Sequence, residues 1–153
     1  MKLSIRPATI DDVAFIESLG KRTVMDSVAA MRRPNPVDVM DNFDRLLQIV
    51  ESRKHAALIA EDGGEPVGFL LMLHSLPDEV TGLDQAFIAY MAVERERRGG
   101  GIGAALLAAA EDEARKRGLP YMALMVTEEN ASARALYERA GYLTERRLLC
   151  KML

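Results

Sequence analysis

The stretch that decides the fold is MAVERERRGGGIGAALL, residues 91–107. It starts at the end of an apolar run, continues with three arginines within four residues, and places three glycines before an alanine- and leucine-rich segment. Each glycine costs backbone entropy and offers no side chain for packing. A strand, a glycine loop and a helix in this order predict a phosphate-binding site, because the first N–H groups of a helix lack internal partners.

Two common phosphate-binding motifs do not explain the loop. A P-loop needs a lysine followed by serine or threonine after its glycines, and the chain has no such pair. Gly99–Ala104 does satisfy the dinucleotide fingerprint, and Glu128 follows the next strand. That fold requires several further strand–helix units, however, and only about fifty residues remain.

Length and composition indicate one globular domain over residues 1–153. Apolar residues make up 49% of the chain and charged residues 28%, and the formal net charge is −3. That charge argues against bulk nucleic-acid binding, which needs an excess of Lys and Arg. Cys150 is the only cysteine, and no apolar run approaches the ~20 residues that span a bilayer. We therefore expect a cytoplasmic protein without membrane contact.

The first half predicts a strand, two helices and a β-hairpin. Leu3–Arg6 alternates like a short strand, and Thr9 with acids behind it predicts a helix start. Apolar spacing predicts a second helix from about Val37 to Arg53. Two strand-like runs, residues 55–62 and 65–76, are separated by two glycines, which is a strong hairpin signal.

The second half predicts strands that alternate with helices. Residues 84–93 and 119–126 resemble buried strands, and residues 142–153 resemble a final strand. Helices are predicted over Gly101–Arg117 and Asn130–Ala140. This order implies an α/β fold with a mixed sheet of six or seven strands and about four flanking helices.

Two motifs make the chain resemble the GNAT acetyltransferase superfamily. That family carries R/Q-x-x-G-x-G/A between a central strand and a helix, which here reads Arg98-Gly99-Gly100-Gly101-Ile102-Gly103. Its second block, N-x-x-A-x-x-L-Y-x-x-x-G-[FY], is matched by Asn130, Ala133, Leu136, Tyr137, Gly141 and Tyr142. The N-terminal IRPAT-DD is also typical of the family, whereas residues 20–55 carry no motif.

The resemblance implies acetyl-CoA as donor and an amine as acceptor. His55 and His74 lack metal-ligand spacing, so we expect no metal. The loop would hold the pyrophosphate, the end of the central strand would pair with the pantetheine, and Asn130 would contact the cofactor. The implied cofactor-binding residues are Met91, Ala92, Val93, Arg98, Gly99, Gly100, Gly101, Ile102, Gly103, Ala104, Asn130, Ala133 and Tyr137. Gly101 and Gly103 occupy the two glycine positions of the motif, while Gly99 and Gly100 fill variable positions that should tolerate many residues.

The resemblance assigns Tyr137 as the general acid that protonates the leaving thiolate. By spacing alone, this tyrosine also fits a core aromatic residue. A backbone N–H such as that of Val93 can stabilise the oxyanion. Some family members carry a basic carboxylate on the central strand, but residues 86–90 contain no acid. The remaining base candidates, each of which also fits a solvated loop acid, are Glu79, Asp84 and Glu128.

The sequence thus predicts an N-acetyltransferase whose acceptor amine is unidentified. The alternative is a non-catalytic CoA-binding or regulatory module of the same fold. The missing strand acid favours the module, and the intact Tyr137 favours the enzyme. The acceptor pocket falls within Lys21–Arg53, which is uninformative. The resemblance also allows a homodimer that uses the exposed C-terminal strand.

Overall fold

The computed structural model describes residues 1–153, which form a five-stranded mixed sheet with helices on both faces. In chain order the elements are β1 (Leu3–Pro7), α1 (Val13–Thr23), α2 (Pro36–Glu51), β2 (His55–Asp62), β3 (Glu65–Leu73), β4 (Ala86–Val93), α3 (Ile102–Lys116), β5 (Met122–Leu124) and α4 (Ala131–Arg139). Short 3-10 turns cover Ile10–Asp12, Val24–Ser27, Ala30–Arg32 and Arg95–Arg97. None of the helices is long and apolar enough to cross a membrane.

The strands lie in sequence order, β1-β2-β3-β4-β5. All neighbours are antiparallel except β4 and β5, which are parallel. The predicted hairpin joins β2 to β3, and its glycines, Gly63 and Gly64, have φ values of 60° and 88°. Positive φ at two adjacent residues is what a tight hairpin turn requires, so the glycine pair is explained.

Strand β3 is the centre of the molecule, and Val67–Leu73 is buried throughout. Alternate side chains of a strand point to opposite faces of the sheet. Leu70 and Met72 accordingly pack on the face covered by α3, while Phe69 and Leu71 pack on the face covered by α1 and α2. The sheet therefore separates two apolar clusters, which is why this strand lacks the alternation of a half-exposed one.

The start of α1 explains the N-terminal motif. Thr9 and Asp12 form a capping box around the turn that precedes the helix. Arg6 donates to both carboxylate oxygens of Asp12, at 2.7 and 2.9 Å. These bonds hold the pKa of Asp12 down to about 2. Asp12 therefore caps the helix start and also ties it to β1.

The prediction of six or seven strands is wrong, because the sheet has five. Strand β5 is limited to Met122–Leu124 rather than residues 119–126. The predicted final strand, residues 142–153, has no strand structure, and residues 143–153 make no backbone–backbone hydrogen bond. Strand formation needs a paired edge as well as a suitable sequence, and this segment has no such partner within the chain.

Candidate active site

The end of β4 is shaped by a bulge. Leu71 of β3 pairs with Tyr90, but the next β3 residue, Met72, pairs with Ile88, so Ala89 is an extra residue in β4. Ala89 and Tyr90 consequently both pack on the face of α1 and α2. A bulge bends its strand and breaks the regular ladder. The bulge therefore bends the last residues of β4 out of the plane of the sheet.

Beyond the bulge, one edge of β4 is open. The parallel pairing of β4 with β5 ends at Ile88 and Leu124, so no strand pairs with this side of residues 89–93. The N–H of Glu94 donates to Val67 at 2.8 Å. The alternation of an antiparallel ladder then turns the backbone groups of Met91 and Val93 away from β3. In the sequence-predicted pantetheine edge, Met91–Val93, no strand therefore pairs with the outward-facing backbone groups, and the carbonyl oxygen of Val93 accepts from the side chain of Arg98.

The glycine loop follows this open edge and leads directly into α3. Gly99 and Gly101 have φ values of 82° and 83°, a region that L side chains rarely adopt. No side chain caps the helix at Gly101. None of the six backbone N–H groups from Gly99 to Ala104 donates to an acceptor in the protein. The loop therefore offers a continuous set of free donors at a helix N-terminus, where the dipole favours an anion.

The glycines of the loop have different roles from those expected. Gly99 needs positive φ, so the expectation that it tolerates many residues is wrong. A Cβ on Gly103 would lie 2.9 Å from Cδ2 of Leu136 in α4 and 3.7 Å from Cε of Met91. Gly103 thus permits α3, α4 and β4 to approach closely. Gly100 has neither constraint, in line with its variable position.

Of the arginines before the loop, Arg98 is the one that faces the site. Its Nε donates to the carbonyl oxygen of Val93 at 3.2 Å. Arg97 instead pairs with Asp62 and lies 3.9 Å from a carboxylate oxygen of Glu65. Arg97 is therefore engaged on β2 and β3, whereas Arg98 is held at the end of β4.

Tyr137 lies in α4 with its ring half-buried against the α3 side of the sheet. Its ring meets that of Tyr142 edge-on, with centroids 6.0 Å apart. Burial raises the pKa of the Tyr137 hydroxyl, and this hydroxyl has no hydrogen-bond partner in the protein. Tyr142 differs, because its hydroxyl donates to Glu111 of α3 at 2.9 Å. Tyr137 is therefore a protonated phenol whose O–H is available.

The motif residues before Tyr137 shape the start of α4. The side-chain oxygen of Asn130 accepts a hydrogen bond from the N–H of Ala133 at 3.3 Å. Asn130 is thus the N-cap of this helix. Both residues have a clear structural role here, and their contact with a cofactor stays a prediction.

The connection between α1 and α2, residues 24–35, lies across this end of the sheet. The hydroxyl of Thr127 donates to the carbonyl oxygen of Ser27 at 2.6 Å, and the carboxylate of Glu129 accepts from the N–H of Ala30 at 3.1 Å. Asp26 lies 3.6 Å from Arg98. Asp26 belongs to no sequence motif, so the sequence alone does not indicate that it lies near the glycine loop.

Tyr90 is fixed beneath the same connection. Its hydroxyl lies 2.8 Å from that of Thr23 at the end of α1, and its ring packs edge-on against Phe43 with centroids 5.0 Å apart. Burial raises the pKa of Tyr90. Near the bulge, β4 therefore packs against the ring of Phe43 and the hydroxyl of Thr23.

The structure does not bring the base candidates Glu79 and Asp84 to this site. Asp84 precedes β4 and accepts a hydrogen bond from the hydroxyl of Ser75 at 2.7 Å. Val93 lies nine positions further along the chain, which is roughly 30 Å along an extended strand. Glu79 is exposed in the same connection and lies 3.7 Å from Arg146. Glu128 is also exposed and lies 3.5 Å from Arg134.

Comparison with known proteins assigns the chain to a family. The model of the acetyltransferase (GNAT) family matches residues 25–142. The chain belongs to this family. The match includes the open end of β4, the glycine loop and α4, which are the elements that form the site.

Individual relatives and solved structures similar to this chain are also named acetyltransferases. The mycothiol acetyltransferase of Beutenbergia cavernae is 37% identical over 84 residues, which cover 55% of this chain and 27% of the relative. A putative acetyl transferase from Pyrococcus furiosus superimposes with a TM-score of 0.83 at 24% identity, over 99% of this chain and all of the other. An aminoglycoside N-acetyltransferase solved with CoA has a TM-score of 0.71 at 20% identity, over 98% of each chain.

The curated relatives are longer than the region they share with this chain. The matched region covers 27%, 62% and 37% of their respective lengths. The solved structures, by contrast, match over nearly their whole length and establish the fold.

Proposed function

We propose that the protein is an N-acetyltransferase that moves an acetyl group from acetyl-CoA to a primary amine. The observation that carries this proposal is the run of six free backbone N–H groups from Gly99 to Ala104. These donors, with Arg98 beside them, suit the pyrophosphate of CoA. A fold neighbour named as a complex with CoA supports the same ligand.

The open edge of β4 gives the rest of the cofactor a path. Pantetheine carries two amide groups, and the outward-facing backbone of Met91 and Val93 offers them partners as a strand would. The thioester then lies near the bulge, between β4 and α4. Asn130 and Ala133, at the start of α4, border this path on its other side.

The chemistry requires two groups at the thioester. The amine nitrogen attacks the carbonyl carbon, and the carbonyl oxygen becomes an oxyanion that an outward-facing backbone N–H of β4 stabilises. As the oxyanion re-forms the carbonyl, the carbon–sulfur bond breaks, and the sulfur takes the electron pair and accepts the proton of the Tyr137 hydroxyl. The attacking nitrogen releases its extra proton to solvent, and a solvent proton restores the Tyr137 hydroxyl. The raised pKa of Tyr137 keeps this proton in place at neutral pH.

The acceptor enters as the free amine in this proposal. Asp84 lies at the far end of β4, Glu79 lies in the connection before it, and Glu128 is exposed beside Arg134, so the proposal assigns the first proton to none of them. A lysine-like amine has a pKa of about 10.4, and only a small fraction of it is unprotonated at neutral pH. The logarithm of kcat/KM should therefore rise with unit slope as the pH approaches the acceptor pKa.

A non-catalytic CoA-binding module is the competing function. The lack of a base candidate at the site favours this module, whereas the unpaired hydroxyl of Tyr137 favours catalysis. The single cysteine fits a reducing compartment, so the proposal places the protein in the cytoplasm.

Release of free CoA thiol from acetyl-CoA distinguishes the two functions. The purified chain is tested with polyamines, free amino acids, aminoglycosides and peptides with free N-termini. We expect thiol release that depends on at least one of these amines, with one acetylated product per thiol. Tight binding of CoA, with no amine-dependent release in any arm, would overturn the enzymatic function and support the module.

A further inference from the structure

A cavity of about 250 Å³ opens between the start of α1, the end of α2 and strands β2 and β3. Eight of its eleven lining residues are hydrophobic. Its floor is formed by Ile16, Val50 and Leu71, which are buried. Its rim includes Ile10 and Val13, which are 84% and 37% exposed. The cavity is therefore an apolar space that reaches the surface of the protein.

Two alanines help to keep the cavity open. Ala8 follows β1, and Ala57 lies on β2 in register with Leu71 of β3. Both line the space, so a longer side chain at either position would extend into it. An unfilled apolar cavity lacks van der Waals contacts that a ligand can supply. A dry apolar cavity of roughly 150 Å³ is enough to bind benzene, so the space here suits one aromatic ring or one branched aliphatic group.

His55 gives the wall of the cavity a hydrogen-bond acceptor. Its Nδ1 lies 2.8 Å from the carbonyl oxygen of Arg53. A carbonyl oxygen only accepts, so Nδ1 carries the proton of the neutral ring and Nε2 is left as an acceptor. This nitrogen has no partner in the protein. A ligand in the cavity therefore meets an acceptor that is free to take a hydrogen bond.

The mouth of the cavity carries negative charge. A polar groove between α1 and α2 continues from the cavity, and Leu47 and Glu51 line both. Lys21 is the only cation that lines this groove, and it pairs with Asp44 at 3.0 Å. The carboxylates of Glu17 and Glu51 are therefore left without a cationic partner. An apolar cavity beside two unpaired carboxylates is complementary to a ligand that is both apolar and positively charged.

The cavity is separate from the candidate active site. Strand β3 lies between β2 and β4 in the sheet, and the glycine loop follows the far end of β4. None of the residues that line the cavity belongs to β4, the glycine loop, α4 or the α1–α2 connection. A ligand held there would leave the open edge of β4 free.

We propose that this cavity is a second ligand site, which binds a small amine with one aromatic or branched aliphatic group. The apolar group fills the space above Val50 and Leu71. The ammonium group has three donors and no acceptor, and it lies at the mouth, where Glu51 and Nε2 of His55 accept. An anion of the same shape would instead meet the unpaired carboxylates. This inference goes beyond the acetyl transfer proposed above and does not depend on it.

Titration of the full chain with 2-phenylethylamine, followed by amide NMR spectra without acetyl-CoA, tests the site. We expect saturable shifts at residues 8–16 and 47–57, with a Kd of about 1 mM or below. Phenylacetate has the same ring with the opposite charge, and methylamine has the charge without the ring. Both should bind at least about tenfold more weakly. Equal binding of phenylacetate, or amine-induced shifts confined to residues 24–35, would overturn the proposal even if the amine proves to be a substrate.

Two variants separate the apolar part of the site from its charge. Ala57→Leu fills the cavity, so the amine-induced shifts at residues 8–16 and 47–57 should be lost. Glu51→Gln keeps the shape of an exposed side chain and should weaken amine binding by about threefold, even if Ala57→Leu fails to fold. Asp41→Asn, at another exposed acid of α2, is the matched control and should bind like the wild type. Wild-type affinity in Glu51→Gln, or in a folded Ala57→Leu, would contradict the proposal.

Discussion

Asp26 and Arg98 form an ion pair across the mouth of the glycine loop, with 3.6 Å between Oδ2 and Nη2. Asp26 comes from the α1–α2 connection, and Arg98 is the arginine of the loop motif. A carboxylate thus lies where the charge of a bound pyrophosphate would be expected. Both side chains are about two-fifths exposed, so the pair itself adds little stability, on the order of 1 kcal/mol or less.

This pair predicts opposite effects of two substitutions on CoA affinity. Arg98→Ala should weaken binding by about 10- to 150-fold, because a charge-assisted hydrogen bond contributes about 1.5–3 kcal/mol. Asp26→Asn should leave affinity unchanged or raise it by up to about fivefold, since the phosphates no longer compete with a carboxylate. Isothermal titration with CoA at two salt concentrations measures both effects. Weaker binding in Asp26→Asn would show that Asp26 helps to hold the cofactor.

The glycine loop predicts a sharp contrast between adjacent positions. Gly101 has a φ of 83°, so a β-branched residue there would be strained and would displace the free N–H groups. Gly101→Val should therefore weaken CoA binding by about tenfold or more, given 1.4 kcal/mol per tenfold.

Gly100 is the matched control for this loop. It has no positive φ, and a Cβ there meets nothing closer than 3.5 Å. Gly100→Lys should consequently change affinity by less than about threefold, since an exposed charge contributes little. Equal losses at the two positions would contradict the role assigned to the loop backbone.

His74 predicts a loss of stability on the acid side. Both ring nitrogens are buried without a hydrogen-bond partner, and burial lowers the pKa of His74 in the folded state. The unfolded chain therefore binds the proton more readily. Stability is full above the unfolded pKa of about 6.5 and falls as the pH drops below it.

Urea unfolding at pH 7.5 and pH 5 measures this effect. His74→Leu should reduce the drop in unfolding free energy between the two values. His55→Leu is the control, because the ring of His55 is hydrogen-bonded to the carbonyl of Arg53 and is partly exposed. An identical pH dependence in wild type and His74→Leu would rule out the buried ring as the cause.

Local features of the fold were accessible from the sequence. The hairpin glycines, the helix start at Thr9 and the start of α3 depend on neighbouring residues, and all three were predicted where they occur. The family followed from two motifs whose spacing is specific. These signals depend on backbone conformation within a few residues, so no tertiary information was required.

Features that depend on distant contacts were missed. The bulge at Ala89 exists only relative to β3, and Asp26 reaches Arg98 only through the packing of α1 and α2. The prediction of a final strand was wrong for the same reason. Residues 142–153 have a composition that suits a strand, but no strand edge within the chain pairs with them. Gly99 was misjudged because a family pattern records which residues vary and does not record φ.

Substitution of Tyr137 by phenylalanine tests the central claim most directly. The change removes only the hydroxyl that is proposed to protonate the leaving thiolate. Acetyl transfer should fall by about 10²–10⁴-fold, which is the usual contribution of a general acid. CoA affinity should stay within about twofold of the wild-type value, because the hydroxyl is proposed to act only as the carbon–sulfur bond breaks. Turnover close to that of the wild type, or equal losses in turnover and CoA affinity, would contradict the assignment of Tyr137 as the acid of an N-acetyltransferase.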